Sequence, residues 1–184
     1  MAAARQPWAA EVLRVWFGIL RPADWFSPRE AVDWMLERRF RPDLERLANR
    51  PAATFLKGPD TARAAILLFD QMSRNIFRDT PRAFATDTLA IAVARGMIRR
   101  GWHKGLSDGA KQFVGMPFMH SERIADQRLG LAFFASEGLY NTLRFARSHH
   151  VMIARFGRFP HRNATLGRTT TAAEQRAIDT GFAW

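Results

Sequence analysis

Residues 9–20 read AAEVLRVWFGIL. Val12, Val15, Trp16 and Ile19 fall at i, i+3, i+4 and i+7, the spacing that lines one face of an α-helix. Working outward, Pro22 and the segment Trp25-Phe26-Ser27-Pro28 end that helix. Ser27 as N-cap and Pro28 at the first turn open a second one, with Val32, Met35, Leu36 and Phe40 on its apolar face. Pro42 is expected to kink or restart it, because proline lacks the amide that a helix interior needs. The stretch 49–59 holds Pro51, Gly58 and Pro59 and reads as a loop. Helices follow over 60–74, from an Asp79-Thr80-Pro81 cap to about Arg100, over 106–115, from a Ser121 cap to about Glu137, and over 139–156. Residues 157–170 read as loop, and Thr171-x-x-Glu174 is a capping box that opens a last short helix. No segment alternates apolar and polar residues as a half-buried strand does. The expectation is one all-α domain over 1–184, built from antiparallel helix pairs joined by short connections.

Composition narrows the class. The chain has 184 residues, 47% hydrophobic and 12% aromatic, enough apolar surface to argue against disorder. No run of about 18 uncharged apolar residues is present, so no membrane span is expected. The start, MAAARQPWAAEVLRVWFGIL, is interrupted by Glu11 and Arg14 and lacks a small-residue cleavage site, so it does not read as a secretory signal. A cytoplasmic location is expected. The absence of cysteine rules out disulfides, thiolate metal sites and cysteine nucleophiles. The net charge is +11, and only three of the 28 basic residues are lysine. Arginine suits carboxylate and phosphate partners because its guanidinium is a planar fork. Codon bias of a GC-rich genome would raise arginine and alanine equally well, so clustering matters more than the total.

Three stretches carry more than packing. In LLFDQMSRNIFR, 67–78, Asp70 and Arg74 stand at i, i+4 and can pair, and Arg78 would extend the row, with Asn75 between. In MPFMHSE, 116–122, followed by Asp126 and Gln127, the i, i+4 carboxylates Glu122 and Asp126 need a cation near them. An arginine such as Arg123 or one from another segment would serve, and so would a metal with His120 as a further ligand. The third stretch is HHVMIARFGRFPHRNATLGR, 149–168. Its Arg155, Arg158, Arg162 and Arg168, its His149, His150 and His161, and Asn163 are punctuated by Gly157, Pro160 and Gly167. Such a stiff polar loop can hold donors around an anion. Histidine titrates near neutrality, so His161 suits general acid–base work. The competing reading is structural: the same cations can bond the carbonyls at helix C-termini. Isolated histidines such as His103 read as surface residues. No phosphate-binding glycine loop, H-E-x-x-H or G-x-S-x-G motif is present, and no nucleic-acid module is visible.

Together these stretches resemble the bacterial domain-of-unknown-function family numbered 924. The segments that carry the resemblance are LLFDQMSRNIFRDTPRAFATD at 67–87, MPFMHSERIADQ at 116–127 and HHVMIARFGRFPHRNATLGRTTTAAE at 149–174, with VLRVWFG at 12–18, Trp25-Phe26 and the stretch 33–40. The resemblance implies a tetratricopeptide-like helical fold and leaves the function open. It implies motif positions at Asp70, Gln71, Arg74, Asn75, His120, Ser121, Glu122, Gln127, His149, Arg155, Arg158, His161, Arg162, Asn163 and Arg168. His149, not His150, matches the family histidine by its distance from FGRFPHRN.

The leading functional expectation is a pocket for an anionic small molecule bearing phosphate or carboxylate. Asp70 and Glu122 would orient Arg74, Arg78, Arg155 or Arg162, with Asn75, Arg158, Asn163 and Arg168 as further ligand-binding groups. His120, His149 and His161 are the catalytic candidates. The alternatives are a scaffold for an acidic peptide or protein partner, and a metal-dependent enzyme. No metal site or cofactor is assigned, nucleic acid is not expected, and a homodimer is compatible with the many aromatic residues.

Overall fold

The computed structural model describes residues 6–26 and 28–181. Among these every regular element is helical, and no helix is long and apolar enough to cross a membrane. The chain forms two compact units: the first runs to Arg78 and resumes over 82–114, and the second takes 79–81 and the chain from Gly115.

The first unit is organised by one continuous helical rod. Helix α4 (Pro59–Ile66) passes into a π-helical stretch, Leu67–Met72, and on into α5 (Ser73–Ile76), with right-handed helical dihedrals at both junctions. Ala62, Ala64, Ala65, Ile66, Leu67, Leu68, Phe69 and Met72 are all buried. A helical stretch buried on all sides has to be central. Helix α1 (Pro7–Arg14) and helix α6 (Asp87–Arg99) pack on α4; after the short α2 (Pro22–Phe26), α3 (Glu30–Leu47) packs on α5. The alanines of α4 let those neighbours approach closely. Rings fill the remaining space: Phe55 meets Phe69 edge-on at 5.1 Å, and Trp16 meets Phe113 at 5.5 Å. A π-turn shifts backbone carbonyls out of their usual pairing, and here side chains take them. The Phe69 carbonyl accepts the hydroxyls of Ser73 at 2.8 Å and Thr86 at 2.7 Å.

In the second unit α8 (Ile124–Ser136) and α9 (Tyr140–Phe156) pack against each other. Only residues 137–139 join them, and Gly138 supplies the left-handed turn, φ 70°, so the pair is antiparallel. Helix α7 (Asp108–His120) contributes its C-terminal turns to this unit. There Gly115 is required by contact: a Cβ would sit 2.6 Å from the rings of Phe133 and Phe134. Met152, Ile153, Phe159 and Ala177 form a core patch, with Ile124 and Phe156 against it.

Several sequence expectations need correction. The cap expected at Ser27 lies outside the described residues, and α3 begins at Glu30 after an extended Arg29. Pro42 does not break α3, which runs through it. The helix expected after Asp79-Thr80-Pro81 is a short 3-10 turn, Pro81–Phe84, and α6 starts only at Asp87. Helix α7 continues through Pro117 to His120, and α8 starts at Ile124 with Arg123 as N-cap, not at Ser121. His103, expected at the surface, is buried. The capping box is present as read: Thr171 accepts from the Glu174 amide, and Glu174 accepts from the Thr171 amide.

Candidate functional site

The first-unit candidates lie at the π-helical stretch. Asp70 is fully buried there and takes a 2.6 Å hydrogen bond from the Gln71 side-chain Nε2. The expected i, i+4 pair forms, with Arg74 Nη1 3.4 Å from Asp70 Oδ1 and donating to the Asp70 carbonyl as well. Arg74 also reaches Asp87, 3.0 Å from each carboxylate oxygen. Burial opposes the arginine's charge, but Asp70 and Asp87 outweigh it and raise its pKa above the ordinary value. Arg78 does not extend the row. It grips Asp33 of α3 at 2.6 and 2.9 Å, and Asn75 donates to the same carboxylate at 2.7 Å. Every cation of this group is therefore matched by an acid, and the group ties α5 to α3 and to the start of α6.

The second-unit candidates gather around Phe159. Gly157, φ 69°, ends α9 in the left-handed conformation. That turn sends Arg158, Phe159 and the 3-10 turn Pro160–Arg162 back along the helix. The fully buried Phe159 ring lies 5.5 Å from His149 and 5.5 Å from His161, and the Arg162 guanidinium stacks over it at 4.5 Å. His120 stands 6.2 Å from His149, and its carbonyl accepts from Arg162 at 3.1 Å. Asn163 is fully buried and donates to Thr170 at 3.3 Å, while its Oδ1 has no partner among the described residues.

Three other arginines of this motif have different places. Arg168 forms a two-pronged pair with Glu122, both bonds 2.9 Å, and Glu122 also accepts the Phe159 amide at 2.9 Å. Burial pushes the Glu122 carboxyl up, but the Arg168 hydrogen bonds, the Phe159 amide and the charges of Arg168 and Arg162 hold it below the usual range. Arg158 forks onto Glu174 at 2.7 and 3.0 Å. Its hydrogen bonds, with the Thr171 amide, bring Glu174 down to about 2. Arg155 is exposed on α9, its guanidinium 4.8 Å over the Phe156 ring. The carboxylates expected to stack on one helix are separate: Asp126 accepts the Ser121 hydroxyl at 2.8 Å, and Arg123 stands 3.9 Å away. Gln127 bonds the carbonyls of Met119 and Ser121 at 2.6 and 2.7 Å, which pins the α7–α8 corner.

His149 is strongly perturbed. Its Nδ1 lies 2.8 Å from the Phe145 carbonyl. A carbonyl oxygen only accepts, so the neutral ring is the Nδ1–H tautomer and Nε2 is its basic atom. Burial lowers its pKa to about 3, with His120, His161 and Arg162 pushing the same way and the Phe145 hydrogen bond opposing. Among the described residues no three His, Asp or Glu side chains converge in a metal-holding set.

Sequence reasoning missed Asp33 and Asp87, the acids that hold Arg74, Asn75 and Arg78. It read Glu174 only as a cap. Their partners lie from 13 to 45 residues away, beyond the reach of i, i+4 logic.

The fold and these clusters define a helical protein of a bacterial family. The family model described as bacterial protein of unknown function (DUF924) matches residues 12–181, and the chain belongs to that family. A solved structure with which it shares 37% identity, a protein of unknown function, ATU0120, from Agrobacterium tumefaciens, superposes with a TM-score of 0.86 over 94% of this chain and 97% of that one. No curated protein matches.

Proposed function

We propose that the chain is a cytoplasmic protein whose second unit binds an anionic small molecule bearing phosphate or carboxylate at the His120–His149–His161–Arg162 cluster. The observation that carries this is convergence: the His149 and His161 rings and the Arg162 guanidinium gather around Phe159, and His120 stands beside His149. Glu122, the acid beside them, is already engaged by Arg168. Burial is the main cause that keeps His149 neutral, and the Arg162 charge that adds to it also attracts an anion. Arg162 would supply the fork, and His120 and His161 further donors. For a catalytic site, His120 and His161 would move the proton, since the His149 ring, held to about 3, is too weak a base near neutral pH. Arg158 and Arg168 would act at one remove, by fixing the loop that carries Phe159 and Arg162. Arg74 and Arg78, each held by acids in the first unit, would stabilise the fold. For the helices we propose the tetratricopeptide-like pairing, which the antiparallel α8–α9 hairpin supports.

The test is thermal denaturation with phosphate, pyrophosphate and small di- and tricarboxylates at fixed ionic strength, with and without chelator. An anion at about 100 times its dissociation constant should add roughly 2.7 kcal/mol of stability. The shift should vanish in Arg162→Gln and weaken in the milder His161→Asn. A flat response to all anions, or a shift untouched by both substitutions, overturns the proposal.

A further inference from the structure

Helix α9 turns its other side outward. Tyr140, Arg144, Arg147, Val151 and Arg155 recur at steps of 4, 3, 4 and 4, which places them on one stripe. All five are exposed, Tyr140 at 69% and Val151 at 50%. The opposite face of the same helix buries Leu143, Ala146, His149, Met152 and Ile153. The stripe spans sixteen residues, about 22 Å or four helical turns.

No acid of its own helix balances its charge. Residues 140–156 contain no Asp or Glu. Among the described residues none of Arg144, Arg147 and Arg155 has a carboxylate at ion-pair distance, whereas Arg158 and Arg168 in the same unit are held by glutamates. Unpaired guanidinium groups on a regular helix face select an acidic partner. Tyr140 and Val151 narrow the choice. They stand eleven residues, about three turns, apart on its midline, with Arg147 on one side and Arg144 and Arg155 on the other. A phosphate backbone has no use for Val151, and two apolar side chains on a helix already packed into a domain offer a membrane little to bury. A second copy would meet the stripe with the same cations. A helix with a narrow apolar seam flanked by Asp and Glu buries both residues and pairs all three arginines.

We infer that the outward stripe of α9 docks an acidic amphipathic helix of a partner protein. This surface is distinct from the anion cluster and does not depend on it. The probe is a fluorescent synthetic peptide of about 15 residues, four helical turns, with a leucine seam flanked by glutamates. Its binding to the full chain is read by anisotropy. Comparators are the same peptide with the leucines changed to serine, a single-stranded oligothymidylate of equal charge, and vesicles of anionic lipid. The amphipathic peptide should bind most tightly, at least about tenfold better than the serine peptide. Arg144→Gln combined with Arg147→Gln should weaken it about tenfold, and Val151→Ser by a smaller factor. These are surface changes, and melting curves equal to the parent's show that the fold is retained. Failure of the peptide to bind, undiminished binding to the variants, or tighter binding of the oligonucleotide or vesicles overturns the inference.

Discussion

Removing the Glu122 carboxylate should loosen the loop that carries the candidate site. That carboxylate accepts three hydrogen bonds of 2.9 Å, two from Arg168 and one from the Phe159 amide. Both partners of the ion pair are about a quarter exposed, so solvent screens it and the full cost of breaking a buried pair does not apply. In Glu122→Gln the amide oxygen can keep the Phe159 bond while the fork to Arg168 is lost. Charge-assisted bonds in such a setting make that a loss of about 2 kcal/mol. For a chain of this size the melting temperature should fall by roughly 4–8 °C. Arg168→Gln and the double variant complete a thermodynamic cycle, measured by circular dichroism at neutral pH, and the coupling should be about 1 kcal/mol or more. The carboxyl is held below its ordinary pKa in the folded chain, so its contribution is full above the unfolded value and fades as the pH falls through the folded one. The gap between wild type and Glu122→Gln should therefore close in acid. Single-variant costs that add to within about 0.3 kcal/mol would refute the reasoning, because independent sites add and paired ones do not.

The His149 ring should remain neutral at pH 5 and show the Nδ1–H tautomer in nitrogen NMR; an imidazolium at that pH would contradict its burial and cationic surroundings. Because its folded pKa of about 3 lies below the ordinary 6.5, the unfolded chain takes up this proton first, and stability should drain as the pH falls from 6.5 toward 3. Glu174, brought to about 2 chiefly by Arg158, adds a second loss between its ordinary 4.5 and 2, which a denaturation series should find absent in Glu174→Gln. Gly115→Ala forces a methyl to within 2.6 Å of Phe133 and Phe134 and should cost about 1–3 kcal/mol in urea unfolding; an unchanged midpoint would show that the rings yield freely.

The elements best read from the chain were those whose signal is local. Helix α9 and the Thr171–Glu174 capping box follow from spacing and from a reciprocal hydrogen bond spanning three residues, so a one-dimensional pattern contains them. The start of α6 was misplaced because Asp79-Thr80-Pro81 favours helix opening, yet the chain makes only a 3-10 turn there and α6 begins after Thr86, whose hydroxyl bonds the Phe69 carbonyl. The start of α8 was misplaced because Ser121 is a good cap by type but bonds Asp126 instead. The π-helical stretch left no local signature that the spacing rules read, since its Phe69 carbonyl is taken by the Ser73 hydroxyl of the same rod and by Thr86, seventeen residues on.

For the candidate site the division is similar. The sequence by itself determined the residue types and their clustering: arginine, histidine and asparagine within 149–168, the Asp70–Arg74–Arg78 spacing of 67–78, and the family to which both belong. Only the tertiary structure decided which cations are neutralised. Arg78 found Asp33, Arg168 found Glu122 and Arg158 found Glu174, while Arg144, Arg147 and Arg155 were left facing outward. The physical reason is range. Periodicity and capping act over one turn of helix, whereas an ion pair needs two groups a few ångströms apart in space, however far apart they are along the chain.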